Sequence, residues 1–136
     1  MRILVDTSVW SMALRRKQNS ANEAADKLRS LIDGGEQIFL LGVILQEILS
    51  GIADKALFDR LADYLAAFPL VELGREAYVA AAELRNKCRK NGIQAGTIDF
   101  LIASTCIEKG LLLFTLDKDF EAIASLGGLK LLKSLP

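Results

Sequence analysis

Five short apolar runs, separated by stretches of helical sequence, constrain this chain more than any other feature. They are "RILVD" (Arg2–Asp6), "QIFLLG" (Gln37–Gly42), "PLVEL" (Pro69–Leu73), "LLLFT" (Leu111–Thr115) and "LKLL" (Leu129–Leu132). Most are nearly continuous in hydrophobicity, the pattern of strands covered on both faces rather than one. The order reads strand, two helices, strand, two helices, strand, two helices, strand, helix, strand. Right-handed crossovers then predict an α/β sandwich built on a mainly parallel, five-stranded sheet flanked by helices. Neither a repeat nor a linker interrupts the pattern, so one domain over 1–136 is expected.

Helix boundaries are signalled locally. "SANE" sets Ser20 and Glu23 at capping-box spacing. Asp54 precedes "KALFDRLADYLAAF", and "REAYVAAAELRNKCRK" runs to an Asn91-Gly92 stop. Thr97 is placed to cap "GTIDFLIAST", whose helix is expected to end near Gly110.

About half the residues are apolar and only two are proline, which suits an ordered core rather than a disordered tail. The run "LLLFTL" (Leu111–Leu116) is too short to span a bilayer, and "MRILVDTSVW" lacks the pattern of a secretory signal. Cys88 and Cys106 stand in no metal or redox spacing and read as reduced thiols of a cytoplasmic protein. A net charge of zero argues against broad nonspecific affinity for nucleic acid. There is no histidine. Chemistry that needs an imidazole base is therefore excluded, and zinc loses its commonest nitrogen ligand.

Four acids draw attention together. Singly, each has an ordinary role: Asp6 can cap the helix "TSVWSMAL", and Glu47 can be an exposed position on "GVILQEILSG". Asp99 can complement its helix dipole, and Asp117 can cap the last helix. Their placement is less ordinary. Asp6 and Asp117 each follow a strand, Glu47 lies just past the second strand, and Asp99 opens a helix that should begin at the same sheet edge. Sites in such folds lie beyond the C-terminal ends of the strands. Two like charges at 4 Å repel by about 4 kcal/mol at an effective dielectric of 20. A divalent cation relieves that repulsion, and an all-oxygen donor set favours Mg²⁺ or Mn²⁺. Metal-dependent phosphate chemistry is compatible with these residues.

The blocks "ILVDTSVW", "QEILSG", "GTIDFLIAST" and "LLLFTLDKDF", in this order and at these separations, resemble the PIN-domain ribonucleases. Within that family they are most similar to the VapC-type toxins of prokaryotic toxin–antitoxin pairs. The resemblance implies a PIN-like three-layer sandwich that hydrolyses RNA in line with Mg²⁺ or Mn²⁺, leaving a 5′-phosphate. It implies Asp6, Glu47, Asp99 and Asp117 as the acids of the site, with Asp6 and Asp99 as direct metal ligands. Asp119 is a further candidate, because either acid of "DKD" can face the site. Thr7, Ser8 and Thr115 carry hydroxyls suited to orienting carboxylates, and equally to turns and caps. A VapB-like antitoxin, an RNA substrate and a homodimer are the implied partners.

Two basic runs are candidate RNA contacts: Arg85, Arg89 and Lys90 in "RNKCRK", and Arg15 and Arg16 in "LRRKQ". Cations at a helix C-terminus also simply complement the dipole. Trp10 reads as packing for the first helix. An apolar surface near Ile44–Ile52 and Leu57–Leu65 suits a dimer or antitoxin contact. Two other classes are weighed against a nuclease. One is a catalytically silent PIN-like module, although such modules often lose an acid. The other is a phosphoacceptor receiver domain, which usually pairs adjacent acids near its first strand, whereas here Thr7 and Ser8 follow Asp6.

Overall fold

The structure is a computed structural model and describes residues 1–14 and 22–133. In chain order its elements are β1 (Arg2–Val5), α1 (Thr7–Leu14), α2 (Glu23–Asp33), β2 (Gln37–Phe39), α3 (Gly42–Ser50), α4 (Lys55–Leu65), α5 (Arg75–Lys90), α6 (Thr97–Lys109), β3 (Leu112–Phe114) and α7 (Asp119–Ala124). The sheet order is β2-β1-β3, and both pairings are parallel, with Ile3 level with Ile38 on one side and Leu112 on the other.

The sheet thus has three strands among the described residues, not five. The two missing runs lie where strands were expected, but each contributes a single parallel bridge, Leu40 to Leu70 and Leu113 to Leu131. Physical reasons are visible at both edges. Pro69 accepts from the Leu40 amide but has no N–H to extend the ladder. Leu129–Leu132 emerges from Gly127 and Gly128, whose φ values of 90° and 92° hold a turn until just before pairing begins.

The helix signals fare well. Asp54 Oδ1 accepts from the Ala56 amide at 3.1 Å, a cap whose removal costs about 1 kcal/mol. Helix α5 ends at Lys90 with Asn91 as its cap residue, and α6 ends at Gly110 in the left-handed region, φ 67°. Two caps differ from expectation. The α2 cap is Asn22, which accepts from the Ala25 amide, while Ser20 lies outside the described residues. Thr97 is the first residue of α6 rather than its cap, and Gly96 holds the cap position.

Helix α6 is buried at every residue from Phe100 to Cys106, and packs against α5, α7 and β3. A helix apolar all round belongs in the interior, and burial there anchors its N-terminus at the sheet edge. The core also takes in Trp10, fully buried, with Tyr64 and Phe68 edge-on to it at 6.5 and 5.2 Å between ring centroids. That fixes α1 to α4 and its following turn, as packing rather than base stacking requires. Ile44, Ile48 and Leu65 are core residues too, so much of the apolar surface read from α3 and α4 faces inward. Cys88 and Cys106 are buried free thiols, and burial pushes Cys106 up to about 12. No helix among the described residues is long and apolar enough to cross a membrane.

Candidate functional site

The acids meet beyond the C-terminal ends of β1 and β3, in a cleft of about 570 Å³ lined by Asp6, Glu47, Asp99 and Asp117. Each arrives by a different route. Asp6 is the residue after β1, and its amide donates to the Phe114 carbonyl at 2.9 Å, carrying the pairing with β3 one residue further. Glu47 projects from α3, Asp99 lies in the first turn of α6, and Asp117 follows β3 in the turn before α7.

Asp6 is only 6% exposed, and a carboxylate so placed needs partners. Its side chain does not cap α1. Its Oδ2 instead accepts from Ser8 Oγ at 2.8 Å and from Thr115 Oγ1 at 2.9 Å. Those hydroxyls are themselves held by backbone donors, Leu116 N to Ser8 Oγ and Asp117 N to Thr115 Oγ1, both at 3.0 Å. Hydrogen bonds to a charged group contribute about 1.5–3 kcal/mol each. The network spends both hydroxyls on one oxygen, and Asp6 Oδ1 carries no hydrogen bond among the described residues.

Thr7 serves another acid: its Oγ1 donates to Glu47 Oε2 at 3.2 Å, linking α1 to the exposed carboxylate on α3. Asp99 Oδ2 accepts from the Gly96 amide at 3.1 Å, so this acid closes the start of its own helix. Asp117 Oδ1 accepts from the Asp119 amide at 2.9 Å, bracing the turn before α7, while Lys118 rather than Asp117 holds the cap position of that helix.

Asp99, Asp117 and Asp119 each offer an oxygen within 4.8 Å of the others. Both acids of "DKD" are therefore close to Asp99, whereas Asp6 and Glu47 line the same cleft outside this trio. Burial chiefly holds Asp99 above the usual carboxylate range; the Gly96 amide opposes the shift, and the charges of Asp117, Asp6 and Asp119 add to it. Among the described residues none of these acids forms an ion pair. A concentrated set of oxygen donors with no counter-charge among the described residues fits a divalent cation bound by carboxylates and water.

The basic candidates fall elsewhere. Arg85 is half-buried and Arg89 and Lys90 exposed at the end of α5, and no Lys or Arg is among the described residues lining the cleft. Arg15 and Arg16 lie outside the described residues. The cleft also includes Ser11, Ile98 and Ile102. Ser11 was legible: it stands four residues from Thr7 and three from Ser8, on one helical face. Nothing in the sequence marked the Leu116 amide as a support for Ser8.

Parallel strands, flanking helices and acids converging at one sheet edge define an α/β protein with a carboxylate-lined site. The model of the PIN domain family matches residues 3–126, and the chain belongs to that family. Its fold is shared with solved toxin–antitoxin structures. It is similar to a chain of VapBC2 from Rickettsia felis bound to a DNA fragment from their promoter, at 21% identity over 97% of this chain and 98% of that one, TM-score 0.75. The likeness to DNA-bound VapBC from Salmonella typhimurium is 16% identity over 97% of both chains, TM-score 0.77. For FitAcB from Neisseria gonorrhoeae it is 22% over 96% of both, TM-score 0.70.

Proposed function

We propose that this chain is a metal-dependent endoribonuclease, the toxin component of a VapBC-type toxin–antitoxin pair, acting in the cytoplasm. One observation carries the reading: three carboxylate oxygens within 4.8 Å of one another at the end of a parallel sheet, beside a cleft that Asp6 and Glu47 also line and that no Lys or Arg among the described residues lines. Asp99, Asp117 and Asp119 would hold Mg²⁺ or Mn²⁺, with Asp6 and Glu47 completing the acidic site. A cation bound there supplies Lewis acidity, activating water and stabilising the oxygen that leaves a phosphodiester.

The chain's own residues prepare the site. Ser8 and Thr115 fix the Asp6 carboxylate through its Oδ2. Thr7 orients Glu47, and the Gly96 amide holds Asp99 in place. Orientation of ligating carboxylates by such bonds is worth 10- to 100-fold in metal affinity or activity. RNA is the proposed substrate, cut to leave a 5′-phosphate. The likeness to VapBC and FitAB structures supports a VapB-like antitoxin as partner and, with the half-exposed Tyr64, Leu70, Tyr78 and Val79, a homodimer.

The test is cleavage of end-labelled RNA by the purified chain, with Mg²⁺ or Mn²⁺ and with EDTA. Cleavage only with metal, lost in Asp99→Asn, is the expected result. Full activity in EDTA, or in Asp99→Asn, would overturn the reading.

A further inference from the structure

A second concavity adjoins the carboxylate cleft at Asp117. It is a groove of about 990 Å³ that shares Asp117 with the cleft and runs past Thr115 and Leu116 to Lys130 and Lys133. Its far wall is Leu129–Lys133, which is built rather than loose. Leu113 N donates to the Lys130 carbonyl at 3.0 Å and Leu132 N to the Leu113 carbonyl at 2.8 Å. The Lys27 ammonium, half-buried over the Phe114 ring, donates to the Lys133 carbonyl at 2.7 Å.

Val5 is level with Phe114, so Asp6 is level with Thr115. Leu113 meets Leu131 in a single parallel bridge, which brings the Leu129–Lys133 segment alongside β3. Thr115, Lys130 and Lys133 all line the groove. Lys130 and Lys133 are exposed and form no ion pair among the described residues. Between the acidic and basic ends, Leu116 is 49% exposed, and Leu129, Leu131 and Ala124 supply an apolar floor.

We propose that this groove holds the single-stranded RNA segment flanking the bond that is cut, with Lys130 and Lys133 on its phosphates and Leu116 against a base. The inference deepens the nuclease reading and rests on it. Acids at one end and exposed lysines at the other suit a polyanion whose reacting phosphate lies at a carboxylate-held cation and whose neighbours lie on ammonium groups. A cationic groove that tracks the backbone is also a general means of holding single strands. Glu121 of α7 also lines the groove, so the two lysines outnumber the one acid added on that side.

Anisotropy of a fluorescein-labelled single-stranded RNA in EDTA, across a salt series, reads binding without cleavage. Steady-state cleavage in Mg²⁺ reads the same surface during turnover. Lys130→Glu with Lys133→Glu should weaken binding at least tenfold, leaving the Lys133 carbonyl that Lys27 holds untouched. Lys130→Ala with Lys133→Ala should lower the salt slope by about 1.4, at roughly 0.7 per single-strand phosphate contact. KM should rise in both double variants with kcat unchanged, and Leu116→Ser should weaken binding several-fold at an unaltered slope. If the wild type cleaves RNA while both double variants match it in affinity, slope and KM, the groove proposal fails and the nuclease reading stands. If the wild type binds RNA through these lysines but never cleaves it with metal, the nuclease reading fails and the groove stands. Loss of a co-purifying protein partner in the variants, with RNA affinity unchanged, would give the groove to a protein and overturn the proposal.

Discussion

The two walls of the carboxylate cleft are held by opposite means. On the β1 side, Asp6 is nearly buried and depends on hydroxyls from Ser8 and Thr115, the latter more than a hundred residues away in the chain. On the α6 side, Asp99 is more open and is tied to the Gly96 amide of its own helix start. The first wall is a product of tertiary pairing, whereas the second is almost entirely local. Local ties survive changes elsewhere in the molecule, while a network spanning two strands fails when either end moves. The difference also shows in charge. Asp99 is pushed upward by burial, with the neighbouring acids adding to it, while Asp6 has two donors aimed at it.

The comparison breaks most severely when either acid is neutralised. Asp6→Asn and Asp99→Asn should each reduce RNA cleavage below detection, with the fold retained by circular dichroism. Their stabilities should part: Asp6→Asn places an amide against two hydroxyls oriented for a carboxylate, while Asp99→Asn removes a charge that the fold disfavours. Chemical denaturation of the metal-free proteins should therefore show Asp6→Asn as the less stable variant.

Thr115→Val comes next, because it removes one of the two Asp6 donors without touching a carboxylate. Mn²⁺ affinity, measured by titration calorimetry, should fall about 10- to 100-fold, and Thr115→Ser should recover most of it. Equal Mn²⁺ affinity for Thr115→Val and wild type would show that the hydroxyl positions nothing.

The pH dependence is smaller and reports on the α6 wall. With its folded-state pKa raised, Asp99 favours folding fully below the ordinary carboxylate value. That contribution is lost as pH rises through the raised value, since the native state binds the extra proton. Metal-free wild type should thus lose some thermal stability across that interval, and Asp99→Asn should lose less. Mg²⁺ or Mn²⁺ at a hundredfold excess over its Kd should add about 2.7 kcal/mol at neutral pH, seen as a rise in Tm that Asp99→Asn abolishes. The smallest effect is expected from Thr7→Ala. Its partner Glu47 is exposed, so cleavage should fall only a few-fold in the same assay.

Much of this was legible beforehand because it is local. The α4 and α5 boundaries follow from Asp54 and from Asn91-Gly92, and the end of α6 follows from Gly110, each acting within a turn of its own position. The acids were legible by their position after strands and at a helix start. Edge pairing was not, because hydrophobicity marks a run as buried without saying how many ladder bonds it completes; Pro69 and the Gly127-Gly128 turn decided that. Nor could a sequence tell that Asp119 joins Asp117 beside Asp99, since that rests on how the turn after β3 meets the start of α6.

By itself, then, the order of apolar runs and helix signals determined a parallel α/β fold and which acids would reach its edge, because periodicity and caps act over a few residues. Only the tertiary structure decided which hydroxyls hold Asp6, which three acids stand close enough to share a cation, and that Lys130 and Lys133 line a groove with Asp117. Those outcomes depend on register between strands far apart in the chain, and register is settled by packing that no single segment contains.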